Sequence, residues 1–226
     1  MISAIIVAAG KGIRMNDKLR KQYLLLAGRP ILAYSLLVFD SCDLIDCIIL
    51  VVPPKDIDYC QKDILAPLKL YKKINLVPGG EKRQDSVYNG LMAVDKNAAE
   101  IVVIHDGVRP FVSQDQVAAC ITGAKEYGAC ILAIPADDTL KQVDRSGFIC
   151  NTLKRDDIFL AQTPQAFQYD LIIKAHENAR KESFVGTDDA SLVERLGGNI
   201  KTIYGSKQNI KITTREDIIF ATALLS

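Results

Sequence analysis

The sequence predicts an α/β fold, a mostly parallel sheet with helices on both faces. Strand-length runs of Val, Ile and Ala recur between longer segments with helical spacing, as expected of strands covered on both sides. Loops bearing Gly with Lys, Arg or Asp follow the first, third and fourth of these runs, at the sheet edge where open α/β folds gather ligands. No repeat, low-complexity tract or linker divides the 226 residues. The chain therefore reads as one domain over 1–226, with an arm at about 136–157.

The elements follow in order. Residues 4–8 form a first strand. Residues 30–40 (PILAYSLLVFD) have helical spacing, with Pro30 tolerated in the first turn. Residues 47–52 (CIILVV) are a second strand, stopped by Pro53 and Pro54, and 56–65 a helix. A third strand at 74–77 ends in Pro78-Gly79-Gly80, and a helix covers 84–94. A fourth strand spans 101–105, a helix capped by Ser113 runs to Tyr127, and a fifth strand covers 129–135. Residues 138–143 and 148–153 are more polar and alternate around Asp144-Arg145-Ser146-Gly147, a hairpin pattern. Such an arm is marginal alone, so a partner subunit covering it is the simplest remedy. Helices at 169–180 and 188–196, short strands at 200–204 and 209–212, and a helix from Thr214 complete the chain. Thr214 with Asp217 resembles a capping box.

Composition narrows the function. Hydrophobic residues make up 49% and charged residues 24%, enough for a full core. Net charge is +1, which gives no general case for binding nucleic acid or a membrane, so any anion site is local. Six scattered cysteines without a C-x-x-C pair read as reduced thiols of a cytoplasmic protein. The opening MISAIIVAAGKG lacks a basic region before its short apolar run and reads as a strand rather than a signal peptide.

Several constellations can carry chemistry. Gly10-Lys11-Gly12-Ile13-Arg14 with Lys21 reads as a phosphate loop or a tight turn with solvated cations, and matches neither the Walker nor the dinucleotide spacing. Gly79 to Ser86 can present backbone groups and a hydroxyl to a base edge, or simply turn a strand into a helix. Asp106, at the end of the fourth strand, is placed to hold Mg²⁺, with Arg109 as a phosphate ligand or a brace, whereas His105 reads as packed at the strand end. Thr139, Lys141, Arg155 and Thr163 lie on or after the arm, where a solvated surface is the plain alternative. Lys211, between Ile210 and Ile212, points opposite to them, as edge protection or into a cleft. Gly186-Thr187-Asp188-Asp189 reads first as a helix cap and second as a catalytic carboxylate.

Taken together, AAGKGIRM with Lys21-Gln22, PGGEKRQDSV, HDGVRPFV, DDTLK, QTPQAF, GTDDASLVE and NIKIT resemble, in order and over essentially the whole chain, the 2-C-methyl-D-erythritol 4-phosphate cytidylyltransferases. The resemblance implies a Rossmann-like sheet of the nucleotide-diphospho-sugar transferase type. It also implies CTP and the alditol phosphate as substrates, a divalent cation (usually Mg²⁺), and a homodimer whose arms reach the partner's site. Carried over by position, Ala8, Ala9, Gly10, Gly12, Gly80, Glu81, Arg83, Ser86 and Asp106 would bind CTP, with the metal on Asp106. Arg14, Lys21, Arg155 and Lys211 would be the catalytic cations. Asp106, Arg109, Thr139, Arg155, Thr163 and Lys211 would form the acceptor pocket, with Thr139 and Arg155 serving the neighbouring subunit. Arg20 stands where the family often has proline, which either loosens the phosphate loop or adds a cation. Ribitol 5-phosphate cytidylyltransferases share much of this pattern, but GTDDASLVE and the chain length favour the erythritol enzyme. A non-catalytic nucleotide-binding module and a sugar-1-phosphate nucleotidyltransferase are the more distant readings.

Overall fold

A computed structural model of the protein describes residues 1–10 and 19–225. Its centre is a seven-stranded sheet in the order β11-β7-β10-β6-β1-β4-β5. The strands are β1 (Ile2–Val7), β4 (Cys47–Val52), β5 (Lys73–Pro78), β6 (Ile101–Asp106), β7 (Ala129–Pro135), β10 (Phe159–Gln168) and β11 (Lys201–Tyr204). A two-residue hairpin, β2 (Leu25–Leu26) with β3 (Arg29–Pro30), lies apart from the main sheet. β1 pairs in parallel with β4 and β6, β4 with β5, and β7 with β11. β10 is antiparallel to both β6 and β7. The mostly parallel α/β sheet expected from the sequence is present, with one antiparallel strand inserted near its middle.

Alternate residues of β1 face two separate cores. Ala4 and Ile6 join Leu32, Leu36 and Phe39 of α1 (Ile31–Asp40) and Val117, Cys120 and Ile121 of α4 (Gln114–Tyr127). Ile5 and Val7 join Val87 and Leu91 of α3 (Arg83–Met92), Ile172 and Ala175 of α5 (Tyr169–Lys181), and Leu192 and Val193 of α6 (Ala190–Arg195). Burial on both faces explains the unbroken Val/Ile runs. Ser113 accepts from the Gln116 amide, and the Gln116 side chain accepts from Ser113 N–H, so α4 opens with a capping box. Asp217 accepts from the Thr213 and Thr214 amides at the start of α7 (Arg215–Leu225), bearing out the second box.

The structure corrects two expectations and adds a strand. The helix at 56–65 is irregular: α2 (Ile57–Tyr59) passes into a π-helix at Cys60–Leu65 and a 3-10 turn at Ala66–Leu68. Residues 209–212 are not a strand. The fully buried Asn209 side chain donates to Gln162 Oε1 and the Thr163 carbonyl, and only the Ile212 amide reaches a neighbouring segment, at the Val108 carbonyl. β10 was not foreseen, because Pro164 interrupts its run. A register shift between Ala161 and Gln165 accommodates that proline.

The hairpin is present as β8 (Lys141–Val143) and β9 (Ile149–Thr152), paired only with each other. Asp144 accepts from the Ser146 and Phe148 amides, and Gly147 adopts the left-handed φ of 86° that the turn requires. All six cysteines are free thiols, four of them buried. Among the described residues no helix is long and apolar enough to cross a membrane.

Candidate active site

The carboxyl ends of β1, β5 and β6 converge on one edge of the sheet, where two cavities adjoin. The first, about 220 Å³, is lined by Ala8, Ala9, Gly10, Lys21, Gly80, Glu81 and Ser86. The second, about 230 Å³, is lined by Arg109, Gln162, Thr163, Gln165, Thr187 and Asp188. Arg83, Asp106 and Lys211 border both.

Glycines shape the first cavity by close approach. A Cβ on Gly79 would fall 2.3 Å from the Ala9 Cβ, and one on Gly80 2.4 Å from the Asp85 Cβ. Ser86 Oγ accepts from the Gly80 amide at 3.1 Å and donates to the Lys82 carbonyl at 3.0 Å. The Ser86 hydroxyl thus braces the loop while its residue lines the cavity. Gln22, almost fully buried, donates to the Ala8 and Gly10 carbonyls and ties the first loop to the residues after it. Arg20 does not line the cavity: its guanidinium pairs with Asp56 at 2.7 Å. Gly12 and Arg14 lie outside the described residues.

Charge concentrates where the cavities meet. Asp106 takes Arg83 Nε on Oδ1 at 2.9 Å and Lys211 Nζ on Oδ2 at 2.7 Å. Arg109 Nε stands 4.0 Å from the same Oδ2. Burial favours the neutral carboxyl, but Arg83 and Lys211 outweigh it and hold Asp106 well below the usual carboxylate range. Of the two readings for Lys211, the cleft is correct. Arg83 also donates through Nη1 to Asp189 at 2.7 Å. Burial works against its charge, yet Asp189 and Asp106 hold the guanidinium protonated, well above its ordinary value.

Beneath this cluster runs a chain of directed hydrogen bonds. The Asp106 amide donates to Thr163 Oγ1 at 3.0 Å, which in turn lies 3.0 Å from His105 Nδ1. His105 Nε2 lies 3.2 Å from the Arg109 carbonyl, so the ring donates there and accepts from the threonine. Burial pushes the His105 pKa down to about 4, keeping the ring neutral. Thr163 therefore lines the second cavity with its hydroxyl already committed to Asp106 and His105.

Thr139 and Arg155 line neither cavity. Both are exposed, and Arg155 donates to the Asp137 carbonyl of its own chain. The Gly186-Thr187-Asp188-Asp189 segment reads first as a helix cap, and Asp188 bears this out. Asp188 accepts from the Ser191 amide, while Asp189 makes no side-chain cap bond. Sequence reasoning missed Asp189 as a partner of Arg83, and no local pattern signals it.

The edge of this sheet can hold two anionic groups side by side, one in each cavity, around shared cations. Comparison with known proteins agrees. The family described as IspD: 2-C-methyl-D-erythritol 4-phosphate cytidylyltransferase matches residues 2–226. Proteins of that name from Pelotomaculum thermopropionicum and Syntrophus aciditrophicus are 45% and 48% identical, each over 99% of this chain and 94% and 95% of their own. The crystal structure of 4-diphosphocytidyl-2C-methyl-D-erythritol synthase from Anaerococcus prevotii superposes with a TM-score of 0.88 at 40% identity, covering 99% of this chain and 95% of that one. The chain belongs to the 2-C-methyl-D-erythritol 4-phosphate cytidylyltransferase family.

Proposed function

We propose that the protein transfers the cytidylyl group of CTP to 2-C-methyl-D-erythritol 4-phosphate, releasing pyrophosphate and forming 4-diphosphocytidyl-2-C-methyl-D-erythritol for the non-mevalonate isoprenoid route. One observation carries the reading: two cavities share Arg83, Asp106 and Lys211, so a nucleotide in one and a phosphate in the other meet at a common set of charges. CTP occupies the cavity of Ala8, Ala9, Gly10, Gly80, Glu81 and Ser86. The acceptor phosphate occupies that of Arg109 and Thr163.

An acceptor phosphate oxygen attacks the α-phosphorus in line. The new O–P bond forms as the bond to the bridging oxygen breaks, and that oxygen leaves with its electron pair on pyrophosphate. The nucleophile is already an anion, so no strong base is needed, and catalysis rests on positioning and charge. Lys211 and Arg109 orient the acceptor phosphate. Lys21, with Arg14, grips the triphosphate and stabilises the charge that grows on the leaving group.

Asp106 fits a magnesium ion carried in on the nucleotide. It is held ionised, offers hard oxygen donors and borders both cavities, and magnesium often uses one or two carboxylates plus substrate phosphates. When bound, the ion would neutralise phosphate charge between the two reactants.

Two copies pair through the arm, which places Thr139 and Arg155 of each at the partner's acceptor cavity. Support comes from the exposed Val143, Phe148 and Ile149 and from the absence of Thr139 and Arg155 from their own chain's cavities. The protein works as a cytoplasmic enzyme, in keeping with its free thiols. The test is incubation with CTP, Mg²⁺ and either 2-C-methyl-D-erythritol 4-phosphate or ribitol 5-phosphate while pyrophosphate is followed. Release with the erythritol phosphate supports the reading. Release with ribitol phosphate alone reassigns the acceptor, and none with either overturns the function.

A further inference from the structure

Two buried groups remain without a task in this reaction. Asp189 is 1% exposed and His176 fully buried, and neither lines the two cavities described above. His176 Nε2 donates to Asp189 Oδ1 at 3.2 Å, while Asp189 Oδ2 accepts from Arg83 Nη1 at 2.7 Å. His176 Nδ1 and Arg83 Nη2 have no hydrogen-bond partner among the described residues. The ring's polar contact is therefore with Asp189 alone, and the guanidinium's place rests on Nε to Asp106 and Nη1 to Asp189.

Dividing the guanidinium in this way has a consequence at Asp106. An unopposed Arg beside a carboxylate tends to form a two-pronged pair that takes both oxygens. Here Asp189 holds the guanidinium by Nη1, the fork's second prong Nη2 stays without a partner among the described residues, and Asp106 Oδ2 takes Lys211 at 2.7 Å. Resting on the cytidylyl-transfer reading, we propose that Asp189, oriented by His176, is a positioning residue. It holds Arg83 across the junction of the two cavities, where the guanidinium charge meets the incoming phosphate groups, and leaves Oδ2 of Asp106 to Lys211. A purely structural role would be to pin the start of α6 against α5. The His176 bond makes that tie, and the kcat and double-variant measurements below separate it from positioning of Arg83.

The experiment measures steady-state pyrophosphate release by the full-length protein, with thermal melting as a check on folding. In Asp189→Asn, kcat should fall by ~10–100-fold, the usual cost of losing a residue that orients a ligating group, while melting stays cooperative. In Arg83→Lys, a single point charge cannot bridge two carboxylates, so adding Asp189→Asn should cost less than about 3-fold more. A wild-type kcat in Asp189→Asn, or equal losses in both backgrounds, overturns the proposal. Should Asp189→Asn fail to fold, His176 decides: His176→Gln keeps a donor and should retain turnover within about 3-fold, whereas His176→Leu should not. Equal turnover in those two overturns it. No release by the unaltered protein would instead overturn the functional reading. The variants are then judged by CTP affinity, which should weaken in Asp189→Asn, and an unchanged affinity overturns positioning.

Discussion

The junction around Asp106 and the hairpin arm are built on opposite principles. At the junction, Asp106 is 6% exposed and Asp189 1%, and Arg83 and Lys211 already touch carboxylates from distant parts of the chain. On the arm, every residue of β8 and β9 is exposed, as is Phe148 in the turn between them, to 74%, and the hairpin pairs with no other strand among the described residues. Preorganised charge can stabilise a transition state without rearranging, so the junction is complete within one chain. The arm carries cations and apolar side chains outward, in keeping with the proposed pairing of two copies through it.

The sharpest break of this contrast would come at the cations. Lys21→Ala should lower kcat by ~10²–10³-fold, the cost of one lost transition-state donor. Near-normal turnover would remove Lys21 from the mechanism. Lys211→Ala and Arg155→Ala should each raise the acceptor KM and leave CTP affinity intact. Mixing these two variants then separates the regions. If Arg155 serves the partner, each mixed dimer regains one site with both cations, whereas no site is restored if it serves its own chain. Acceptor titration of the mixture checks this, and an unrestored KM would return Arg155 to its own subunit. Next comes Phe148→Asp, which should shift sedimentation toward the monomer while leaving thermal melting of the core unchanged.

A smaller effect concerns pH. Burial lowers the His105 pKa to about 4, below its ordinary value, so the folded protein binds fewer protons than the unfolded chain in the window between. The stabilising contribution is complete above the unfolded value near 6.5 and is lost as pH falls toward 4, at a cost of about 2 kcal/mol by about pH 5. Asp106 and Asp189, both held below the carboxylate range, act in the same direction at lower pH. In His105→Asn the drop in unfolding free energy between about pH 8 and pH 5 should shrink by that amount, and an unchanged pH slope would show that another group carries it. The smallest effect belongs to Arg20→Ala. Its pair with Asp56 is partly exposed, so the loss should stay under ~1 kcal/mol in denaturant melts.

Much of the fold was legible because its strands obey a local rule. β4 and β7 read at their observed bounds, since burial on both faces demands unbroken apolar runs. β10 obeyed no such rule. Gln162 and Gln165 are nearly fully buried within it because partners far along the chain satisfy them: Ser206 and Asn209 for one, Asp188 and the Ala190 amide for the other. Residues 209–212 failed in the reverse sense, with an apolar alternation but a buried Asn209 that ties the segment down by side-chain bonds. The site divided likewise. Asp106 and the Gly79-Gly80 turn were visible because their chemistry sits at strand ends. Asp189 was not, since only the meeting of α3, α5 and α6 brings Arg83 and His176 to it.

The central antiparallel strand also sets an order on synthesis. β6 and β7 are complete once residue 135 has emerged, yet they do not pair with each other, and β10 fills the gap between them only when residue 168 has left the ribosome. Until then the facing edges of β6 and β7, rich in Val, Ile and Ala, stay open, the kind of surface that recruits neighbouring chains. The whole arm lies between β7 and β10 in sequence, so a chain stalled within it leaves those edges open.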